Sequence, residues 1–420
     1  MGMTITEKIL ADHAGRPEVE PGEFINARLD AVMANDGSMF AAIEVFRQVG
    51  AARVFDSSRV VAIPDHFTPN KDIPSAKKTG AMRDFVAQQG ITNYFELGRG
   101  GIEHILMLEK GLALPGDLIL GGDSHTCTYG AVGAFSTGVG STDLGVALAL
   151  GETWLKVPES VKLTYHGTLP KWVFGKDLIL HTIGQIGIDG ARYQAMEFDG
   201  EVISRLPISS RAAICNMAVE AGAKSGIIAP DQATLDYVSS RATRPYRVYF
   251  SDRDAVYGKS YDFDVSRLAP QVACPYSPGN VKPVDELGNV RIDQVFVGSC
   301  TNGWFDDLRL AASVLKGQKV HENVRMLVIP GTQEIYRKAI DEGILEVFVE
   351  AGAAVSTPCC GPCMGVHMGI LGENEKAICT TNRNFVGRMG HETSEVYLSN
   401  PAVAAASAVL GRIASPEEVR

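Results

Sequence analysis

The sequence lacks the features that mark membrane, secreted and nucleic-acid-binding proteins. No apolar run reaches the roughly 18 residues of a transmembrane helix. Eight cysteines in 420 residues are too few for a secreted disulfide scaffold. The formal net charge of −10 lacks the basic excess that binds a nucleic-acid backbone. With 45% hydrophobic and 21% charged residues, the composition is that of a globular chain with a sizeable core.

Residues 1–15 also lack the apolar segment of a signal peptide, and they already carry charged side chains such as Glu7 and Asp12. We therefore expect a cytoplasmic protein. Its cysteines are then reduced, and they serve as packing residues, nucleophiles or metal ligands.

Strand-like and helix-like segments alternate along most of the chain. Short apolar or β-branched runs predict buried strands at 60–63, 117–120, 295–297, 326–329 and 377–379. Helices are predicted at 38–49, at 144–155 with N-cap candidates at 141–143, and after Asn400, which is followed by Pro401 at the first helical position. This alternation predicts an α/β architecture with largely parallel sheets.

Two changes along the chain predict domain boundaries. The pattern turns richer in β-branched residues after 156–158. The stretch 274–288 has three prolines and two glycines, a composition typical of an interdomain connector. We therefore predict three domains, at 1–158, 159–275 and 276–420.

Unusual polar residues follow four predicted strands, in the position where open α/β sheets bind ligands. They are Asp65 and His66 after the first run, Asp123, Ser124 and His125 after the second, Cys300 after the third, and Arg383 and Arg388 after the last. Packing alone does not explain such residues at four separate strand ends. The loops that carry them are therefore predicted to form the functional site.

The cysteines allow three kinds of site. Cys360 and Cys363 form a C-x-x-C motif, and Cys300 lies far upstream. The sequence CGPC is that of a thioredoxin-type redox pair. A structural zinc site needs four ligands, and a second C-x-x-C is absent. Three thiolates on a four-iron cluster would leave one iron open as a Lewis acid. Spacing alone leaves these interpretations open.

Five motifs together resemble the aconitase superfamily. They are PDH at 64–66, GGDSHT at 121–126, GSCTN at 298–302, CCGPCMG at 359–365 and NRNFVGR at 382–388. They occur in the order of the family, and the resemblance covers nearly the whole chain. Within the superfamily, the sequence is similar to large subunits of the two-subunit 3-isopropylmalate dehydratase and homoaconitase group. The implied fold has three α/β/α domains around a central cleft.

The resemblance also implies roles for the matching residues. Cys300, Cys360 and Cys363 match the three ligands of a [4Fe-4S] cluster, and Cys359 is a spectator. Residues that match catalytic positions are Asp65, His66, His104, Asp123, His125 and Glu220. Residues that match substrate-binding positions are Ser124, Asn216, Arg383 and Arg388. Asn216 and Glu220 are expected on one helix face because of their i,i+4 spacing. The roles of His367 and His391 stay open.

The implied reaction is reversible dehydration and rehydration of a branched 2-hydroxy dicarboxylate, with conversion of 2-isopropylmalate to 3-isopropylmalate in leucine biosynthesis as the expected case. Homoaconitate, 2-methylmalate and dimethylmaleate are alternative substrates. A thiol–disulfide redox protein using Cys360 and Cys363 is the alternative from another class.

Single-chain relatives continue into a fourth domain that supplies the base, whereas this sequence stops at Arg420. We therefore expect a separate small subunit that supplies the base and the substrate-specificity loop. Neither nucleic acid nor membrane is expected as a partner.

Overall fold

The computed structural model describes residues 2–419, which divide into two compact units. Unit 1 consists of 2–97, 106–167 and 191–264, and unit 2 consists of 98–105, 168–190 and 265–419. The three predicted domains, their boundaries at 158 and 275, and their arrangement around a cleft stay predictions. No helix among the described residues is long and apolar enough to cross a bilayer.

Helices occur along the whole described chain. The α-helices are α1 (Ile5–His13), α2 (Ser38–Gln48), α3 (Ile73–Gln89), α4 (Glu103–Glu109), α5 (Ser141–Leu150), α6 (Gly175–Ile186), α7 (Glu201–Arg205), α8 (Ile208–Asn216), α9 (Gln232–Ser239), α10 (Ser299–Asn302), α11 (Phe305–Leu315), α12 (Gln333–Asp341), α13 (Ile344–Ala351) and α14 (Pro401–Leu410). The 3-10 helices are Ser124–Val132, Ala218–Ala221, Val284–Glu286, Gly361–Met364 and Pro416–Glu418.

The strands of unit 1 are β1 (Phe24–Arg28), β2 (Ala31–Asn35), β3 (Val60–Ile63), β4 (Asn93–Tyr94), β5 (Leu118–Gly121), β6 (Phe135–Gly138), β7 (Glu152–Lys156), β8 (Ser160–His166), β9 (Ala195–Asp199), β10 (Ser225–Ile227) and β11 (Lys259–Asp264). Those of unit 2 are β12 (Gln271–Ala273), β13 (Val281–Pro283), β14 (Gln294–Val297), β15 (Arg325–Val328), β16 (Ala354–Val355), β17 (Lys376–Cys379) and β18 (Glu395–Leu398).

Unit 1 contains two parallel sheets and a two-stranded ribbon. The first sheet has the order β4-β3-β2-β5-β6, and the second has the order β10-β9-β8-β11. Strands β2, β3 and β5 are buried on both faces, as their continuous apolar runs predict. Because β3 and β5 flank β2 in parallel, the loops after all three strands emerge at one edge of the sheet.

Unit 2 is built on a mixed sheet of seven strands in the order β13-β12-β18-β17-β14-β15-β16. Its central strands β14, β15, β17 and β18 are parallel, and β12 pairs antiparallel with β13 and β18. The loops after β14 and β17 therefore lie side by side. The Ala-rich helix α14 begins as predicted, because Asn400 Oδ1 accepts hydrogen bonds from the backbone N–H groups of Ala402 and Val403.

Two local predictions are corrected. The helix predicted at 144–155 begins earlier, at Ser141, and ends at Leu150, because Gly151 takes a left-handed conformation with φ 69° and the following residues form β7. The segment 274–288, predicted as a connector, supplies β13 to the seven-stranded sheet. The alternation of strands and helices with largely parallel pairing confirms the α/β class.

Candidate active site

Asp65 and His66 follow β3 directly at the edge where the loops of the five-stranded sheet emerge. Both are buried, with 1% and 8% of their surfaces exposed. His66 Nδ1 lies 2.6 Å from Asp65 Oδ1, and His66 Nε2 lies 3.8 Å from Asp123 Oδ2. The carboxylate at Nδ1 fixes the ring so that Nε2 can carry the proton of a general acid.

Asp36, which follows β2, is a further buried carboxylate of this edge. Its Oδ1 accepts a hydrogen bond from His66 N at 3.0 Å, and its Oδ2 accepts one from Phe67 N at 2.9 Å. Burial raises the pKa of Asp36, and the nearby charge of Asp65 raises it further. Asp36 therefore holds the backbone of the loop that carries the imidazole.

Asp123 and His125 follow β5, and the 3-10 helix Ser124–Val132 begins between them. Asp123 Oδ1 caps this helix by accepting a hydrogen bond from His125 N at 2.8 Å. The Nε2 atom of His125 lies 2.9 Å from Glu220 Oε1, and its Nδ1 lies 3.5 Å from Ser124 Oγ. A second imidazole–carboxylate pair thus stands in unit 1.

Asn216 and Glu220 come from different helices. The α-helix α8 ends at Asn216 because Met217, with ψ near 3°, leaves the helical conformation, and Glu220 lies in the 3-10 helix Ala218–Ala221. The expectation that both lie on one helix face is therefore wrong. Asn216 Nδ2 donates to Thr128 Oγ1 at 2.8 Å, so both residues still reach the helix of His125.

Cys300 and Cys363 meet in unit 2 although they are distant in sequence. Cys300 lies in α10, directly after β14, and Cys363 lies in the 3-10 helix Gly361–Met364. Asn382 Nδ2 donates to Cys300 Sγ at 3.3 Å, and Asn382 Oδ1 lies 4.0 Å from Cys363 Sγ. Ser299 Oγ lies 3.8 Å from Cys300 Sγ and 3.9 Å from Cys363 Sγ. The two sulfurs therefore share two polar neighbours.

Cys360 stands one turn from Cys363, whose backbone N–H donates to the Cys360 carbonyl at 3.4 Å. Cys360 is partly exposed, whereas Cys363 is buried. Between them, Gly361 takes φ 60°, and a Cβ there would lie 2.4 Å from Ile329 Cδ1. Glycine is therefore favoured at this point, because it adopts this conformation without strain and places no side chain against Ile329.

The backbone just before Cys300 is strained. Ser299 takes a left-handed conformation with φ 75°, which costs a residue other than glycine about 1–3 kcal/mol. Such strain persists where neighbouring contacts fix the chain. Here the Thr380 hydroxyl accepts from Gly298 N at 3.0 Å and donates to Gly298 O at 2.9 Å. The loop after β17 thus holds the loop that presents Cys300.

The two arginines lie in the loop after β17, in the same unit as the cysteines. The guanidinium of Arg388 donates to Cys363 Sγ at 3.9 Å. Arg383 follows Asn382 and is half-buried. Asn384 Nδ2 donates to the Cys274 carbonyl at 2.8 Å, which anchors the loop.

His104 lies in α4 and belongs to unit 2. It is buried, and its Nε2 lies 3.5 Å from Glu103 Oε1. Ile102 N donates to Gly331 O at 2.7 Å, and Gly331 N donates to Gly303 O at 2.8 Å, directly after the helix of Cys300. Hydrogen-bonded backbone thus links the segment of His104 to the Cys300 loop.

The two histidines with open roles differ in their surroundings. His367 is buried, and its Nδ1 lies 4.0 Å from Cys359 Sγ. His391 is partly exposed, and its Nδ1 lies 2.9 Å from Thr393 Oγ1. His367 is therefore the one that lies next to the segment of Cys359, Cys360 and Cys363.

Asp36, Asn382 and Ser299 contact site residues but are not among the predicted ones. Asp36 follows a buried strand just as Asp65 does, so the rule that located Asp65 could have found it. Asn382 lies within the arginine motif, but its contact with two cysteines depends on the order of strands in the sheet. No sequence signal marks the backbone conformation of Ser299.

A model of the aconitase family (aconitate hydratase) matches residues 7–411. The chain belongs to the aconitase family. The predicted resemblance to this family is therefore confirmed.

Several aconitase relatives match the chain over its full length. Proteins named 3-isopropylmalate dehydratase large subunit, from Thermodesulfovibrio yellowstonii and Moorella thermoacetica, are each 61% identical over 419 residues, covering 100% of both chains. A relative from Pyrococcus abyssi, named 3-isopropylmalate dehydratase large subunit 1, is 59% identical over 421 residues with the same coverage. A solved structure of Thermococcus kodakaraensis aconitase X in its holo-form is 12% identical with a TM-score of 0.49, covering 90% of this chain and 89% of that one.

Proposed function

We propose that the chain is the large subunit of a [4Fe-4S] hydro-lyase that converts 2-isopropylmalate to 3-isopropylmalate by dehydration and rehydration, a reaction of leucine biosynthesis. The observation that carries the proposal is the meeting of Cys300 and Cys363 at Asn382, in a chain whose full-length relatives bear the name of this enzyme. Homoaconitate, 2-methylmalate and dimethylmaleate are the alternative substrates. A cytoplasmic location is part of the proposal.

The thiol set fits an iron–sulfur cluster. Cys300, Cys360 and Cys363 are soft ligands, and the last two stand one turn apart. The side chains of Asn382 and Arg388 direct N–H groups at Cys300 and Cys363, which is how proteins tune the potential and charge of such sulfurs. When bound, the cluster would supply a Lewis acid at the iron that none of these cysteines ligates.

Asp65 and His66 are proposed to protonate the departing hydroxyl group. Hydroxide is a poor leaving group, and a proton delivered from His66 Nε2 converts it to water. The Asp65 carboxylate, 2.6 Å from Nδ1, keeps the imidazole oriented and stabilises its protonated form. Asp36 fixes the backbone of the same loop by accepting hydrogen bonds from the N–H groups of His66 and Phe67.

The second pair, His125 and Glu220, is proposed to act on the water molecule. Their 2.9 Å contact lets a proton pass between imidazole and carboxylate as water is released or added back. Asp123, Ser124 and Asn216 surround this pair with groups that can hydrogen-bond the substrate or water. His104 is proposed as a further acid–base residue.

Arg383 and Arg388 are proposed to bind the substrate carboxylates. A planar guanidinium offers two parallel N–H groups to a carboxylate, and it offsets the negative charge that develops when the α-proton leaves. Both arginines belong to the loop that also carries Asn382, so carboxylate binding and the cysteine site share one element.

A separate small subunit is proposed to supply the base that removes the proton and the loop that selects the substrate. The names of the full-length relatives describe large subunits, which supports a partner of this kind. The base abstracts a weakly acidic proton, so its absence should stop turnover without preventing the large subunit from holding iron.

The test is anaerobic reconstitution of the chain with iron and sulfide, followed by assay with its small subunit. We expect close to four irons per chain, and interconversion of 2- and 3-isopropylmalate that exceeds turnover of homoaconitate, 2-methylmalate or dimethylmaleate. The large subunit assayed alone is the control. Fewer than four irons per chain after complete reconstitution would contradict the proposed [4Fe-4S] cluster. Faster turnover of another acid would contradict the proposed substrate.

A further inference from the structure

Lys176, at the start of α6, is a buried lysine that the proposed reaction does not use. Only 1% of the residue surface is exposed. Its ammonium donates to the Thr381 carbonyl at 2.5 Å and to the Thr380 carbonyl at 3.1 Å. A third acceptor, Asn302 Oδ1, lies 3.5 Å away. The three N–H groups of the ammonium thus have three acceptors in unit 2.

These acceptors belong to the two loops that form the cysteine site. Thr380 and Thr381 lie between β17 and Asn382, the residue that contacts two cysteines. Asn302 is the last residue of α10, the short helix that contains Cys300. One ammonium therefore joins the loop after β14 to the loop after β17.

Asn302, the acceptor in the helix of Cys300, is itself held by further hydrogen bonds. Asn302 Nδ2 donates to Asp307 Oδ1 at 3.0 Å, and Asp307 Oδ2 accepts from Trp304 N at 3.2 Å at the start of α11. Burial lowers the pKa of Lys176 to about 8 and raises the pKa of Asp307 to about 7. The hydrogen-bonded series from Lys176 through Asn302 to Asp307 leaves the Asn302 side chain little freedom.

We propose that Lys176 is a positioning residue of the cysteine site. It holds the helix of Cys300 and the loop of Asn382 in the relative position that a cluster requires. The inference rests on the proposed function, because it takes Cys300 and Cys363 as cluster ligands. Lys176 itself contacts neither substrate nor sulfur in this role.

Burial of the Lys176 ammonium is costly, because the charge loses its hydration and only well-placed acceptors offset that loss. Both backbone acceptors are carbonyls of one turn, so the ammonium fixes that turn where a methionine of similar length could only pack against it.

The test compares Lys176→Met and Lys176→Gln with wild type and with Lys316→Met, a control at an exposed lysine of the same unit. Methionine keeps the length of the stem without donors, and glutamine keeps N–H donors without charge. The first measurement is the rate of iron loss from reconstituted protein in a chelator, followed by visible absorbance. We expect about tenfold faster loss for Lys176→Met, the usual size of an effect from outside the ligand set.

The second measurement uses the protein without iron. Cys300 and Cys274 are equally buried, at 9% and 8% exposure, so their alkylation rates can be compared within one molecule. General destabilisation would raise both rates in parallel, whereas loss of positioning raises the rate at Cys300 more than at Cys274, whose carbonyl accepts a hydrogen bond from Asn384 of the same loop. We expect the Cys300 to Cys274 ratio to rise in Lys176→Met, to rise less in Lys176→Gln, and to stay at the wild-type value in Lys316→Met.

Unchanged ratios and unchanged iron loss in both Lys176 variants would overturn the inference, as would a parallel rise at both cysteines. If Lys176→Met does not fold, the same two measurements on Lys176→Gln decide. Failure of the wild-type chain to take up iron would instead contradict the proposed function. The alkylation ratio needs no iron, so it reports on Lys176 in either case.

Discussion

The acid–base residues of unit 1 and the cysteines of unit 2 are held by contacts of different kinds. His66 lies 2.6 Å from Asp65, the distance of a strong, charge-assisted hydrogen bond. The sulfur of Cys300 lies 3.3 Å from the Asn382 amide, and Cys363 lies 4.0 Å from the same side chain. In unit 1, carboxylates orient the imidazoles that we propose as proton donors, whereas in unit 2 the thiols that we propose as cluster ligands have weaker hydrogen bonds around them. Substitutions in the two units should therefore separate turnover from iron binding.

The largest expected effect is on iron binding in unit 2. Cys300→Ser should abolish the visible absorbance of reconstituted protein, because a serine hydroxyl is a poor ligand for this soft site. Iron content and absorbance measure the effect. Cys274→Ser is the control, since Cys274 is similarly buried in the same unit. Full absorbance in the Cys300 variant would remove this residue from the ligand set.

The next largest effect is on turnover in unit 1. His66→Gln should lower kcat about a thousandfold, because glutamine cannot deliver a proton to the leaving hydroxyl. Iron content should equal that of wild type, so this variant would separate turnover, which depends on unit 1, from iron binding, which depends on unit 2. The control is His166→Gln at the exposed end of β8. Loss of iron together with activity would mean that the residue acts through the cysteine site.

A smaller effect is expected for substrate binding by the arginine loop. Arg388→Lys should raise KM about tenfold, the equivalent of one lost hydrogen bond between charged groups, because an ammonium cannot form the two parallel bonds of a guanidinium. Steady-state kinetics at matched iron content measure it. Arg337→Lys provides the control, because the side chain of Arg337 in α12 is exposed. An unaltered KM would argue against a carboxylate contact at Arg388.

The smallest expected effect concerns an ion pair of unit 1 outside the site. His13 Nε2 lies 2.6 Å from Asp30 Oδ2. Burial alone would lower the pKa of His13, but the hydrogen bond and charge of Asp30 outweigh it and raise the pKa. The stabilisation is therefore complete below the ordinary histidine pKa and is lost as pH rises through the higher folded value.

Denaturant unfolding of wild type and His13→Asn across this range measures the pair. The stability difference between them should shrink by about 1.5–3 kcal/mol from acid to alkaline pH, the contribution of one hydrogen bond to a charged group. A difference that grows with pH would contradict the assigned sign.

Much of the fold could be predicted because its signals are local. The strands at 60–63 and 295–297 lie within one residue of their predicted bounds, since short buried parallel strands read as continuous apolar runs. The end of α5 was predicted at 155 rather than 150, because Leu155 of β7 continues the helical spacing of Leu144 and Leu148. Apolar spacing alone therefore does not separate this helix from the strand that follows it.

The site was predictable as a set of loops but not as a set of contacts. Strand ends and motif order indicated Asp65, His66 and Cys300. The role of Asp36 depends on the pairing of β2 with β3, and the contact of His125 with Glu220 depends on the packing of two 3-10 helices. Neighbouring strands are chosen by the packing of whole layers, which no local window of sequence contains.

The sequence by itself determined the α/β class, the start of α14 at Asn400 and Pro401, and the motifs that identify the family. Those features arise from residues within a few positions of one another, where propensity, capping and spacing act directly. Only the tertiary structure decided that Asn382 bridges two cysteines and that Lys176 joins their loops. Such contacts form when distant segments are brought together by sheet order and burial, and their energies exist only in the folded chain.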